Sequence, residues 1–367
     1  RYSNGVGFRV SVRDFMKKEF LPETFAKSFE IPAGDKDVYG NLIHKGTDEK
    51  TGMPKEIRHK ATGIHLVLIA PGSFQMGSNN GTDDEKPAHK VTITKPFYLG
   101  KYEVTQAEWL KAMNSKPWEN QTYAGRVTTA PVNYVLWNQC QEFLVKLNQS
   151  SGGKSGMRFA LPTEAQWEYA CRAETTTKYY FGDDASKLGD YAWFDENAKD
   201  ENEKYAHPVG KKKPNAFGLY DMHGNVWEWC QDWYGNYQST SAIDPSGPTG
   251  GKLRVLRGGS WVTVASNCRS AIRYSASPAY SGAYIPYYFG TGAVLGGEPT
   301  EADKIMQKEL REIREELQKI NNMFVYVTFR GIFLPTGNTQ RCKKIHSLTS
   351  KSVSIYTGQV WTPTHEV

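Results

Sequence analysis

No apolar run in this chain approaches the length of a membrane-spanning helix. Cysteine is scarce and odd in number: Cys140, Cys171, Cys230, Cys268 and Cys342 lie far apart, with no C-x-x-C pair among them. That pattern excludes a disulfide scaffold and a dithiol metal or redox motif. The eight histidines, at 44, 59, 65, 89, 207, 223, 346 and 365, form no H-x3-H helical pair. They read as surface or hydrogen-bonded core residues, and only His223 sits inside a motif of interest. Basic residues are scattered, with Lys211-Lys212-Lys213 and Lys343-Lys344 among the few clusters on a net charge of +6. Without a basic stripe carrying interleaved aromatics there is no nucleic-acid footprint, so no nucleic-acid partner is expected. No phosphate loop, nucleophile–base pair or metal triad is apparent, and the sequence offers no mechanism for catalysis.

What is present is a chain of 367 residues, 13% aromatic and 23% charged, a globular composition long enough to bury a large core. It starts at Arg1 without a methionine and so reads as a processed product or a fragment. The most telling stretch is Gly218-Leu219-Tyr220-Asp221-Met222-His223-Gly224-Asn225-Val226-Trp227-Glu228-Trp229. Two carboxylates flank a Gly-Asn turn, and backbone carbonyls of the turn could complete an all-oxygen cage for a hard cation such as Ca²⁺. The plainer reading is a tryptophan-anchored core turn with hydrogen-bonded acids. Phe181 to Gly250 is rich in Gly, Asn, Asp, Pro and aromatics, with little helix or strand pattern. So long an irregular stretch needs a further source of order, which favours the cation.

Regular elements are few. Leu66 to Ala70 reads as a strand. Thr105 and Glu108 make a capping box for a helix running through Lys111. Val135-Leu136-Trp137 with Phe143-Leu144 marks a second helix, and Thr163 caps a third after Pro162 ends a strand.

Besides the Gly218 to Trp229 stretch, four blocks stand in this order: Val67-Leu68-Ile69-Ala70-Pro71-Gly72-Ser73-Phe74-Gln75-Met76-Gly77-Ser78; Pro96 to Thr105; Arg158 to Ala170; and Arg254-Val255-Leu256-Arg257-Gly258-Gly259-Ser260-Trp261. Together they resemble the formylglycine-generating-enzyme (sulfatase-modifying factor) family over about Ile64 to Pro278. The resemblance implies an α+β, C-type-lectin-like fold, irregular, with a small mixed sheet and few helices. It also implies a structural Ca²⁺ held by the side chains of Asp221 and Glu228 and the carbonyls of Gly224 and Val226. A second calcium site of the family maps onto Trp193–Glu203, where the pattern is unreadable. Cys171 and Cys268 lie in blocks that approach each other, leaving a bridge or two buried thiols as alternatives.

The resemblance also argues against the family's chemistry. Formylglycine-generating enzymes carry a C-x4-C pair after the Gly-Gly-Ser strand to hold copper, and a soft Cu(I) ion needs thiolates. Here Gly258-Gly259-Ser260 is followed by Cys268 alone, so no copper is expected. The iron-dependent branch of the family needs clustered histidines, which are missing too. A formylglycine-generating-type oxidase or sulfatase-maturation enzyme remains the competing expectation.

Beyond that strand, Tyr274 to Tyr288 holds five tyrosines in fifteen residues among Ser, Ala and Gly. Rigid amphipathic rings with small spacers are the chemistry of a paratope. The segment also resembles the diversified region of lectin-fold variable proteins altered by diversity-generating retroelements. Trp261, Thr263, Asn267, Tyr274, Tyr280, Tyr284, Tyr287 and Tyr288 are the expected ligand contacts, with Arg257 and Arg273 bracing the frame. The alternative is a partnerless surface loop or a cluster packed on the core. The resemblance points to a bacterial protein, at the cell surface or secreted, with a protein or cell-surface ligand.

The expected organisation has five parts. Residues 1–15, with Gly7-Phe8-Arg9-Val10, form a closing strand or a remnant of a preceding tandem copy. Residues 16–63 are a linker ending in a hairpin, and 64–299 the main domain. Residues 300–324 form an amphipathic helix, and 325–367 a C-terminal strand and tail. In the helix Met306, Leu310, Ile313, Leu317, Ile320 and Phe324 make a narrow seam, suited to oligomers or to packing along its own domain.

Overall fold

The structure is a computed structural model that describes residues 28–121, 127–150, 158–198 and 205–279. All of these lie in a compact unit that spans Arg1–Thr291; a second unit spans Gly292–Val367. The expected strand at 1–15, the helix at 300–324 and the tail at 325–367 fall outside the described residues.

Three small sheets carry the domain. The first joins β1 (Phe29–Glu30), β2 (Glu56–His59), β3 (His65–Ile69) and β6 (Phe97–Gly100) in that order, all antiparallel. In the second, β4 (Gly72–Met76) pairs antiparallel with β5 (His89–Ile93), and β5 pairs parallel with β8 (Ala242–Ile243). The third places β9 (Arg254–Arg257) between β7 (Glu228–Trp233) and β10 (Tyr274–Ala276).

Strand β3 shows why the hydrophobic run there is continuous. Successive side chains of a strand face opposite ways. Val67 and Ile69 enter one core, with Trp167, Leu219, Val255 and Val91. Leu66 enters another, with Ile57, Trp109, Phe143 and Leu147. Buried on both faces, the strand has no need of polar alternation.

Helices α1 (Gln106–Met113) and α2 (Trp137–Ser150) close the second core, where the Trp109 and Phe143 rings stack 5.0 Å apart. Helix α1 begins as its capping residues require: Glu108 N–H donates to Thr105 Oγ1, and Thr105 N–H donates to Glu108 Oε2 at 2.8 Å. Helix α3 (Glu164–Arg172) has the same reciprocal cap between Thr163 and Gln166. It buries Trp167 completely.

Residues 28–63 differ from the expected linker. β1 and β2 extend the first sheet, and Phe29 and Ile57 are core residues. The hairpin there is the β2–β3 pair, which crosses the expected boundary between 63 and 64. Among the described residues no helix is long and apolar enough to cross a membrane.

Candidate functional site

The Asp221–Glu228 turn is built by backbone geometry. Asp221, Gly224 and Asn225 all take left-handed conformations, at φ 57°, 81° and 57°. Only glycine fits at 224, because a Cβ there would lie 2.1 Å from the Trp193 carbonyl oxygen. That carbonyl accepts the Asn225 N–H at 2.8 Å, and Gly224 N–H donates to Gly258 O at 2.8 Å. The Asn225 side chain accepts from His207 N–H and donates to His207 O. The turn is thereby tied both to the irregular stretch before it and to the Gly-Gly-Ser strand.

Asp221 is buried, and its Oδ2 accepts the Gly210 N–H at 2.7 Å. Its Oδ1 is buried without a hydrogen-bond partner, as are both carboxylate oxygens of Glu103. Glu103 follows β6, in the first sheet, and sequence reasoning did not select it. Burial raises the Glu103 carboxyl well above its ordinary range, and the charges of Asp221 and Glu228 push it further. Burial likewise raises Asp221 and Glu228, with the Asp221 charge adding at Glu228. Three neighbouring acids, two of them with buried oxygens that lack a hydrogen-bond partner, are costly unless a proton or a cation neutralises them. Every donor in the set is oxygen, which fits a hard cation such as Ca²⁺. Asp221 and Glu228, with the carbonyls of Gly224 and Val226, are the residues that would hold it. Such an ion would supply charge compensation and fix the turn.

The tightest group of side-chain metal donors among the described residues lies elsewhere. Ligand atoms of Asp37, Glu56 and His65 come within 4.8 Å of one another. The buried ammonium of Lys101 occupies that cluster, 2.9 Å from Asp37 Oδ2 and 3.3 Å from Glu56 Oε2, so it carries its own cation.

Much of the order between Phe181 and Gly250 comes from stacked rings. Phe181 lies 4.1 Å from Tyr191, Trp193 lies 3.9 Å from His207, and the Lys212 ammonium caps the Trp193 face at 3.9 Å. His223 is fully buried and stacks 4.5 Å from Tyr180, whose N–H it accepts through Nε2. Burial depresses its pKa to about 3, so it is a neutral packing residue.

Cys268 follows the Gly-Gly-Ser strand and is fully buried, its Sγ 3.3 Å from Thr263 Oγ1. Burial pushes its thiol up to about 12. Cys171 is also a buried free thiol at about 12, so the two are not bridged. Thr263 Oγ1 accepts from Ser260 N–H and donates to Ser260 O, closing the loop after the strand.

The expected ligand contacts divide three ways. Trp261, 5% exposed, packs with Ala198 and Ala206, and Thr263 is 8% exposed. Both serve the core, which corrects the expectation that they face a ligand: the loop turns inward to satisfy the Gly-Gly-Ser backbone. Asn267 and Tyr274 are partly exposed, and the Tyr274 ring lies 5.4 Å from Trp227. Tyr280, Tyr284, Tyr287 and Tyr288 lie outside the described residues. The bracing role expected of the arginines is present. Arg257 is fully buried and bonds Glu168 and the Ile272 carbonyl, while Arg273 bonds Glu164.

Comparison with known proteins agrees with this architecture. The Sulfatase-modifying factor enzyme 1-like domain family matches residues 52–285. The chain is similar to the serine/threonine-protein kinase pkn1 of Chlamydia caviae, 30% identical over 240 residues, covering 61% of this chain and 37% of that protein. It is similar to the formylglycine-generating enzyme of Streptomyces coelicolor, 32% identical over 228 residues, covering 59% of this chain and 63% of the enzyme. It therefore spans less than two thirds of either relative. Among solved structures it resembles Treponema denticola variable protein 1 at 30% identity and a TM-score of 0.52, covering 59% of this chain and 90% of that one. The ordered blocks, the small sheets joined by irregular chain and these matches agree, and the chain belongs to the Sulfatase-modifying factor enzyme 1-like domain family.

Proposed function

We propose that this protein is a non-catalytic binding module: a lectin-fold scaffold stabilised by Ca²⁺ that presents a Tyr/Ser-rich face to a protein or cell-surface ligand. The observation that carries the reading is the state of Cys268. Its thiol is sealed from solvent and pushed up to about 12, and the nearest cysteines in sequence are Cys230 and Cys342. A thiol held in that form is a poor nucleophile and a poor soft-metal ligand. Loss of the thiol pair removes the known route to O₂-dependent thiol oxidation while the surrounding frame of Arg257, Glu168, Glu164 and Arg273 persists. A frame kept without its chemistry suits a display scaffold.

Several features support a binding face beside β10. Trp227, Trp229 and Tyr274 are only partly buried and pack on Leu256 and Ala276. They form an aromatic shelf at the start of the tyrosine-rich sequence. The resemblance to a variable protein supports, by analogy of fold, a surface whose residues can change without disturbing the core. Calcium enters through the acids at 103, 221 and 228, whose mutual repulsion a divalent cation relieves.

The test is a Cu(I) titration against a chromophoric chelator, followed by aerobic incubation with a cysteine-containing sulfatase peptide. The reading expects no stoichiometric copper binding and no aldehyde product. Stoichiometric copper with turnover would instead establish the oxidase.

A further inference from the structure

Lys101, Asp37 and Glu56 form a group that the binding reading does not use. All three side chains are 0% exposed. Lys101 Nζ lies 2.9 Å from Asp37 Oδ2, 3.3 Å from each Glu56 oxygen, and donates to Leu42 O at 2.6 Å. The Tyr102 and Tyr220 rings flank it, their centroids 5.7 and 6.0 Å from Nζ. Asp37 is held with equal care. Its Oδ1 accepts the N–H groups of Tyr39 and Asn41 at 3.0 and 3.1 Å, and its Oδ2 accepts the Tyr102 hydroxyl at 2.6 Å. Glu56 is fixed by His65 Nδ1 at 2.8 Å and by the His44 N–H at 3.0 Å.

We propose that this triad forms an intramolecular isopeptide bond, joining Lys101 Nζ to Asp37 Cγ, with Glu56 as the proton carrier. A buried ion pair gains little over a neutral group of similar shape, because both charges lose their hydration. An amine and a carboxyl locked in contact react as if at very high concentration. Exclusion of water favours the amide over its hydrolysis.

The atoms balance without an oxidant or activator. The Lys101 ammonium passes a proton through the Glu56 carboxylate to Asp37 Oδ2, and the freed amine attacks Cγ of the neutral carboxylic acid so formed. Negative charge then develops on Oδ1, where the Tyr39 and Asn41 N–H groups already point, an arrangement that stabilises a tetrahedral intermediate. Oδ2, hydrogen-bonded by Tyr102, takes up the second ammonium proton by way of Glu56 and departs as water. The third proton stays on the amide nitrogen. The Nζ–Cγ bond forms, the Cγ–Oδ2 bond breaks, and Glu56 ends as it began, a carboxylate. Asp37 lies before the family's matched residues 52–285 and Lys101 within them, so the bond staples the preceding segment onto the family domain. For a domain displaying a binding face, such a staple resists unravelling from that side.

The decisive experiment is the denatured intact mass of the purified full chain, with tryptic mapping. The expected chain is lighter by one water than its sequence. A peptide containing Asp37 should be linked to one in which trypsin leaves Lys101 uncut. A wild-type chain of full mass, or a water loss mapped to other residues, overturns the proposal. Glu56→Ala should show the full mass with Lys101 and Asp37 peptides separate, provided circular dichroism matches wild type. A folded Glu56→Ala chain that still carries the link would remove Glu56 from the mechanism. The wild-type mass stands as a test even if variants do not fold.

Discussion

Arg273 grips both carboxylate oxygens of Glu164, through Nε at 2.7 Å and Nη2 at 2.8 Å, with 1% and 5% of the two side chains exposed. The pair ties the entry of β10, and so the root of the tyrosine-rich segment, to the first turn of α3. Removing Arg273 leaves Glu164 with the Tyr237 hydroxyl at 3.1 Å and the longer Arg257 contact at 3.5 Å, so the cost approaches but does not exceed the roughly 3–5 kcal/mol of a stranded buried charge. Arg273→Ala should lose stability on that scale in urea unfolding. Arg273→Lys should fall between, because one ammonium cannot reproduce the two parallel bonds.

A second pair sets the acid response. Glu85 is fully buried and accepts two bonds from Arg269, at 2.6 and 2.8 Å. Burial alone would raise its carboxyl, but the Arg269 bonds and charge outweigh burial and hold it below its ordinary 4.5. The folded pKa therefore lies under the unfolded one. The pair's contribution is complete above the unfolded value and is lost as pH falls through the folded one. Melting temperatures measured from pH 7 downward should fall more steeply below that range for wild type than for Glu85→Gln, which should be the less stable of the two at pH 7.

Gly224→Ala tests the Asp221–Glu228 turn without touching a carboxylate. The new Cβ would meet Trp193 O at 2.1 Å, at a φ of 81° that alanine resists. The expected loss exceeds about 1 kcal/mol. Thermal denaturation in excess calcium should show the deficit, since the clash is with backbone and an ion cannot relieve it.

The caps of α1 and α3 and strand β3 are readable because each is local: Thr105 and Glu108, or Thr163 and Gln166, are three residues apart. The acids at 221 and 228 are likewise adjacent to the turn they serve. Glu103 was not readable as their companion, because only folding brings β6 beside that turn. The 28–63 segment misled for a related reason. Asp37, Glu56 and Lys101 look like surface charges by composition, yet they are buried against one another. Trp261 pointed the other way: an aromatic in a loop suggested contact, while the structure turns it toward Ala198 and Ala206.

Cys268 gives a chemical prediction. With its thiol at about 12 and no surface exposure, iodoacetamide at pH 8 should leave it unmodified in the folded chain and alkylate it after unfolding. Mass spectrometry of peptides covering 254–273 reads both states. Rapid labelling of the folded protein would place a reactive thiolate at this position.

The proposed calcium clamp is tested most directly by isothermal titration of the EGTA-treated, dialysed chain with CaCl₂. The account predicts saturable binding that is weakened strongly in Asp221→Asn and Glu228→Gln. Absence of a calcium isotherm in the folded wild-type chain, or unchanged binding in both variants, would contradict it.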